Sequence, residues 1–325
     1  MNTAFPERLS YTKRYIFMFS FIIVAGLGWT GYWFWIKSQV LGYLNDRIAV
    51  ESNMGWQVEW SDLNVSGFPF QVRLVGQNIK IIKSEPAVVC QIPRSAAIAR
   101  PWDFKHVILN WEGGIECTYK ILGGIKFMSH SGSASVRLNQ DFSLRRTVWD
   151  LKDMRLLLSN LDIASETAQI HLARENLSVH LYVHIVDTIS PVWTRFWPHE
   201  VDSFTVDVTV SDQGSFETLR SAELVIHLME SQSAGTRLSI SGDAKSDANG
   251  FVNGKAKLSI FGFEQALEAL TKVNPSLGMA LSVLQLLSGQ STDDDAETPW
   301  EIQAEIVQNK LSVAGVSIAT FPQLH

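Results

Sequence analysis

The segment Tyr15 to Ile36, YIFMFSFIIVAGLGWTGYWFWI, carries no charged side chain over about 22 residues, and a helix crossing a bilayer core needs about 20. A cleaved leader would place small residues directly after its apolar run. Here Trp29, Tyr32, Trp33, Phe34 and Trp35 stand in that position. Bulky aromatics at one end of an apolar segment read as a membrane-interface belt, so the segment is predicted to be an uncleaved transmembrane helix with Trp29, Tyr32, Trp33 and Trp35 at the interface. Arg8, Lys13 and Arg14 precede it, and Lys37 is the one cation beyond it before Arg47. The positive-inside bias then keeps residues 1–14 in the cytoplasm and exports the bulk of the chain.

After the span, residues 37–55 place Val40, Leu41, Leu44 and Ile48 at helical spacing, which predicts an amphipathic stalk closed at Gly55. From Trp56 the period becomes two. Trp56, Val58 and Trp60 alternate with Gln57, Glu59 and Ser61, and the same pattern recurs through LSVHLYVHIV and SFTVDVTV. Such alternation predicts half-buried antiparallel strands with one dry and one wet face. Residues 56–325 are therefore expected to form a mainly β exported domain, a long, curved antiparallel sheet that is either groove-like or sandwich-like. One helical pair interrupts it at about 263–289, where Ala266, Leu267, Leu270 and Val273 share one face and Leu277, Leu281, Leu284 and Leu287 a second, around Asn274-Pro275. Residues 290–299, QSTDDDAETP, follow as an exposed acidic loop.

The chain breaks sharply at Ser66-Gly67-Phe68-Pro69-Phe70. Gly67 can take a positive φ, Phe68 is pushed towards extended backbone by the proline after it, and Pro69 lacks a ladder donor. These residues make a structural corner at a sheet edge, with a trans bond before Pro69 as the favoured isomer. Cys90 and Cys117 are the two cysteines of 325 residues. They either pair, closing a loop of about 28 residues worth roughly 3.5 kcal/mol, or remain two buried thiols.

Residue patterns that carry recognisable chemistry are few. His180 and His184 lie four apart on a predicted strand, about 13 Å from each other, too far to share an ion. Asp293, Asp294, Asp295 and Glu297 lack the order of a calcium loop. The double glycines at Gly113-Gly114 and Gly123-Gly124 read as turns or bulges. No catalytic, cofactor-binding or metal-ligating residue is assigned, and no enzyme is expected. A net charge of −6 without a basic cluster in the exported bulk excludes nucleic acid as a main partner. PVWTRFWP, residues 191–198, offers Trp193, Phe196 and Trp197 either as a contact loop or as a lid on the core.

Gly31-Tyr32-Trp33 at the end of the span, Ser66-Gly67-Phe68-Pro69-Phe70 at the corner and Arg73 after it resemble the domain of unknown function 2125 family, found chiefly in alphaproteobacteria. The likeness extends more loosely to NKLSVAGVSIATFPQL at the C-terminus. It implies a membrane-anchored envelope protein and no particular reaction. A weaker architectural resemblance, to AsmA-like envelope proteins, implies a curved sheet lining an apolar groove. Together these point to an inner-membrane, single-pass protein with a periplasmic domain that binds a lipid or apolar ligand and has the bilayer as a partner. The alternative is a non-catalytic envelope scaffold that binds other proteins. An open groove leaves the dry face without an opposing layer, whereas a closed core stacks a second sheet about 10 Å away.

Overall fold

The computed structural model describes residues 11–320 apart from 54, 86, 121–123, 159–160, 190–200, 213–221, 248, 274, 289–298 and 314–315. Trp193, Phe196, Trp197 and the acidic loop therefore lie outside the described residues. A single helix, α1 (Tyr11–Asn53), carries the apolar segment and the stalk without a break, and its 43 residues reach about 65 Å at 1.5 Å per residue. One helix among the described residues is long and apolar enough to cross a membrane. Gly55 stops it in the left-handed region, at φ +83°.

Among the described residues, the regular elements after α1 are strands apart from one helical pair. The strands are β1 (Trp56–Glu59), β2 (Asp62–Ser66), β3 (Val72–Lys83), β4 (Val88–Arg100), β5 (Asp103–Glu112), β6 (Ile115–Tyr119), β7 (Ile125–Leu138), β8 (Leu144–Leu158), β9 (Leu161–Glu175), β10 (Ser178–Ile189), β11 (Val201–Asp212) and β12 (Ala222–Ser233). They continue as β13 (Thr236–Ser246), β14 (Val252–Phe261), β15 (Trp300–Val307), β16 (Lys310–Val313) and β17 (Val316–Thr320). Helices α2 (Phe263–Val273) and α3 (Pro275–Ser288) stand between β14 and β15. All pairings are antiparallel and follow chain order. β1 and β2 both pair with β3, and β5 and β6 both lie between β4 and β7. Each of these couples is one bent strand, so the seventeen segments make fifteen rows. A twisted sheet of that width curls.

Cross-strand partners share a face, and the registers trace that face across the molecule. One row runs from Val65 through Leu74, Ala97, Leu109 and Ala134 to Trp149. It continues through Ile170, Val183, Val206, Met229, Ile240 and Leu258 to Ile302. No polar residue interrupts it from β2 to β15. The next row over, on the opposite face, runs Asn110, Ser133, Asp150, Gln169, His184 and Thr205, then Glu230, Ser239, Ser259 and Glu301. The period of two has sorted the sheet into a dry wall and a wet one.

The dry wall bends along one line. Asn78, Asp153 and Asp187 take φ of 49°, 48° and 51° inside strands, and Gly113 and Gly114, at 79° and 96°, divide β5 from β6. By register these positions align across neighbouring strands with Pro93, His130 and Glu166. At this crease the alternation slips by one residue. Leu151 and Met154 would face opposite sides of a regular strand, yet both are buried in one cluster with Trp111, Ala134 and Ala168. The Ser129 hydroxyl lies 2.9 and 3.0 Å from the Ser131 and Lys152 carbonyls, and that of Ser165 lies 2.8 and 2.7 Å from Thr167 and Val186. These buried hydroxyls give carbonyls on either side of the kink a hydrogen-bond donor. Asn and Asp tolerate the left-handed conformation better than other side chains with a Cβ, which fits their use here.

Cys90 and Cys117 form a disulfide between facing positions of β4 and β6, next to the crease. Of the two readings open in the sequence, the paired one holds. The bond before Pro69 departs from expectation. It is cis, in a turn where the Gln71 amide donates to the Gly67 carbonyl at 2.9 Å, and tight turns are where X-Pro bonds adopt that isomer.

Gly132, on the dry face of β7, is the position where backbone and ring come closest. A Cβ there would overlap the Trp111 ring and approach the Asp150 carbonyl to 2.6 Å. Gly132→Val is expected to overpack this core and lower stability by about 1–3 kcal/mol, read as a lower thermal midpoint by circular dichroism. A wet-face control, Ser133→Ala, leaves the midpoint unchanged.

Candidate functional site: a dry wall held between two helices

The dry wall is not covered evenly. At its first edge the stalk half of α1 lies on it: Ile36, Val65 and Val72 are buried together, with Val40, Leu41 and Leu74 against them. This uses the helical spacing read for Val40 and Leu41. At its far edge α2 lies on it, where Phe263 and Ala266 are buried with Ile260 and Trp300, and Leu238, Leu258 and Ile302 flank them. The Phe263 and Trp300 ring centroids are 4.6 Å apart. The side chains of Leu277, Leu281, Leu284 and Leu287 on α3 lie outside the described set. Between the two helices, Val183, Val206, Val208, Ile226, Met229 and Ile240 are half-buried. Each of the three buried clusters is built from ladder neighbours, two of them with one helix added. None joins strands from opposite ends of the sheet.

Three buried side-chain polar atoms, Trp111 Nε1, Thr147 Oγ1 and Thr188 Oγ1, have no hydrogen-bond partner among the described residues. The first two belong to dry-face rows, Trp111 opposite Gly132 and Thr147 opposite Val136 and Leu172, and Thr188 faces Ser165 at the crease. A buried donor left unpaired costs about 1–3 kcal/mol.

The corner docks on α1. Trp33 Nε1 donates to the Gln71 carbonyl at 2.9 Å, Trp29 Nε1 to the Pro69 carbonyl at 3.0 Å, and the Tyr32 hydroxyl to the Pro101 carbonyl at 3.2 Å. The carbonyls freed by the corner are thus met by indole donors. Trp33 is 4% exposed and meets the Phe68 ring edge-on at 5.6 Å, while Trp29 packs on Trp102 at 6.0 Å. Gly67 sits at φ +101°, and a Cβ there would come within 2.8 Å of the Gln71 carbonyl oxygen. Around this junction large aromatic surfaces face outward: Phe68 50%, Phe70 66%, Trp102 57%, Tyr32 40% and Trp35 57% exposed. Trp102 was not singled out by the sequence. Its signal, a Pro-Trp pair between two strands, acquires meaning only when the fold brings it to Trp29.

On the wet face the histidines take cross-strand partners. His184 Nδ1 is 2.9 Å from the Thr205 hydroxyl, and His180 Nε2 is 2.7 Å from Asp207. Spacing along β10 separates His180 from His184, as read from the sequence, and the strand ladder supplies other neighbours. The His171 pKa is held below its ordinary value near 6.5, first by burial and then by Arg146, with Asp150 opposing and His180 adding slightly. A lowered folded value means that the folded chain prefers neutral His171. The protein therefore keeps its full stability above about pH 6.5 and loses some as pH falls through the folded value. Denaturant midpoints compared at pH 7.5 and pH 5 are expected to drop less in His171→Gln than in the parent chain.

Trp33→Phe keeps a ring in the docking pocket and removes the donor to Gln71. Its expected cost is about 1–2 kcal/mol, seen as a lower thermal midpoint of the detergent-purified full chain. Trp35→Phe, on the exposed side, is expected to change nothing.

The family model described as an uncharacterized protein conserved in bacteria matches residues 33–322. No curated protein and no solved structure matches the chain.

Proposed function

The chain belongs to the domain of unknown function 2125 family, and from that premise we propose that it is a single-pass inner-membrane protein whose periplasmic sheet binds a lipid or another apolar ligand along its dry wall. The observation that carries this reading is the unbroken apolar row from Val65 to Ile302, covered by helices at both edges and half-buried over β10 to β13. A wall of that kind suits a long aliphatic molecule. The unpaired Trp111 Nε1 and Thr147 Oγ1 favour an amphiphile with an acceptor over a plain hydrocarbon. No bond-breaking chemistry enters the reading, which is that of a binding protein.

Placement follows from the helix. Trp29 lies about 21 Å along the axis from Tyr15, and Ile36 about 32 Å, at 1.5 Å per residue. A hydrocarbon core of about 30 Å then ends where the corner docks. Phe68, Phe70 and Trp102 join Tyr32 and Trp35 as a collar at headgroup level, the layer that aromatic side chains prefer. Arg14 and Lys13 before the span keep the N-terminus cytoplasmic in this reading.

Native mass spectrometry with lipid extraction, on the full chain purified in detergent from a membrane-containing host, tests the proposal. Stoichiometric co-purifying lipid is expected for the parent protein and its loss for Val206→Asp combined with Met229→Asp. Thr205→Asp, on the wet face of the same strand, is expected to retain it. A folded protein with a clean apo mass would instead favour the scaffold reading, and the search would turn to protein partners.

A further inference from the structure

We propose that His180, Asp207 and His227 form a binding site for a divalent transition-metal ion of the zinc or copper type, on the wet face and independent of the lipid reading. The three side chains come from adjacent strands β10, β11 and β12, and one ligand atom from each lies within 4.8 Å of the others. Tetrahedral coordination with bonds near 2.0–2.2 Å sets ligand atoms roughly 3.3 Å apart. The His180 Nε2 to Asp207 Oδ1 distance of 2.7 Å is slightly shorter than that. The 4.8 Å bound on the other pairs means that the side chains draw together on binding.

His227 reaches the cluster through an irregularity in the ladder. The β11–β12 register slips between Asp207 and Val208, where Asp207 faces Leu228 and Val208 faces Ile226. Residue 227 is thus the extra residue of a bulge. The partner register of β12 with β13 slips over the same stretch, between Ile226 and Met229. Bulges re-aim side chains, and this one turns an imidazole towards Asp207. The Thr209 hydroxyl lies 2.8 Å from His227 Nε2, which fixes the ring as an outer-shell partner does in metal sites.

The donor set selects the ion. Two imidazoles and one carboxylate are borderline ligands that suit zinc, copper or nickel, whereas magnesium and calcium want oxygen. Three protein ligands leave one coordination position open to water or to an external ligand. The site is accessible: the His180 and Asp207 side chains are 44% and 30% exposed, and His227 is exposed.

The test uses the full chain in detergent, stripped with a chelator and titrated with zinc against a chromogenic competitor. One tight equivalent per chain is expected for the parent protein, with at least tenfold weaker binding in His227→Ala and in Asp207→Asn. His184→Ala, on the same face, is expected to bind as the parent does. Zinc should also raise the thermal midpoint of the parent and not that of His227→Ala. Absence of a tight equivalent, or equal binding by parent, His227→Ala and Asp207→Asn, would overturn the site.

Discussion

A sheet that is dry on one side across thirteen of its strands must hide that side from water, and the rest of this structure follows from how it does so. The apolar row from Val65 to Ile302 passes through thirteen strands without a polar residue. A flat wall of that extent would aggregate or recruit a second sheet. This chain folds the wall along the crease through Asn78, Asp153 and Asp187, and lays α1 and α2 over its edges. The crease lets small residues such as Ala134 and Ala168 become fully buried while larger neighbours, Trp149 and Ile170, close over them. Among the described residues, these helices and the bend are what cover the wall.

The corner at residues 66–70 solves a different problem. A long helix joined to a sheet by a flexible link would leave the two free to tumble. In this chain the link is the helix itself, continuous into the stalk, and the first sheet edge folds back to bind it. A corner necessarily exposes backbone carbonyls, those of Pro69 and Gln71 among them, and indole donors on α1 satisfy both. That pairing explains why aromatic residues crowd the end of the apolar segment. Trp29 and Trp33 bridge to the β-rich domain, and Trp35 and Phe34 face outward.

Much of this was legible in the sequence, and the reasons for the remainder are physical. Alternation revealed the strands because burial on one face imposes a period of two, and the helical pair stood out because Leu267 and its neighbours change that period to 3.6. The corner was legible through Gly67 and Pro69, whose backbone demands are local. The crease was not. Asn78, Asp153 and Asp187 look like ordinary wet-face residues until register aligns them, and register is a property of the pair of strands. The same holds for His180, Asp207 and His227. Along one strand His180 has only His184 in view, four residues away, whereas the ladder brings Asp207 and a bulged His227 beside it. The chain could also not announce that Cys90 and Cys117 meet, since that depends on β5 and β6 sharing one row.

In the lipid-binding reading, the two coverings of the wall have unequal roles. The docking of α1 is continuous with the membrane anchor and is pinned by three hydrogen bonds to backbone carbonyls, so the first edge of the wall is fixed relative to the bilayer. Helix α2 packs on the opposite edge through apolar contacts centred on Phe263 and Trp300. Register places the collar and α2 beyond opposite ends of the apolar rows: Val72 heads the row nearest the corner, and Ile260 lies in the row nearest α2. A molecule entering past the collar would meet half-buried aliphatics before it met the helical cap.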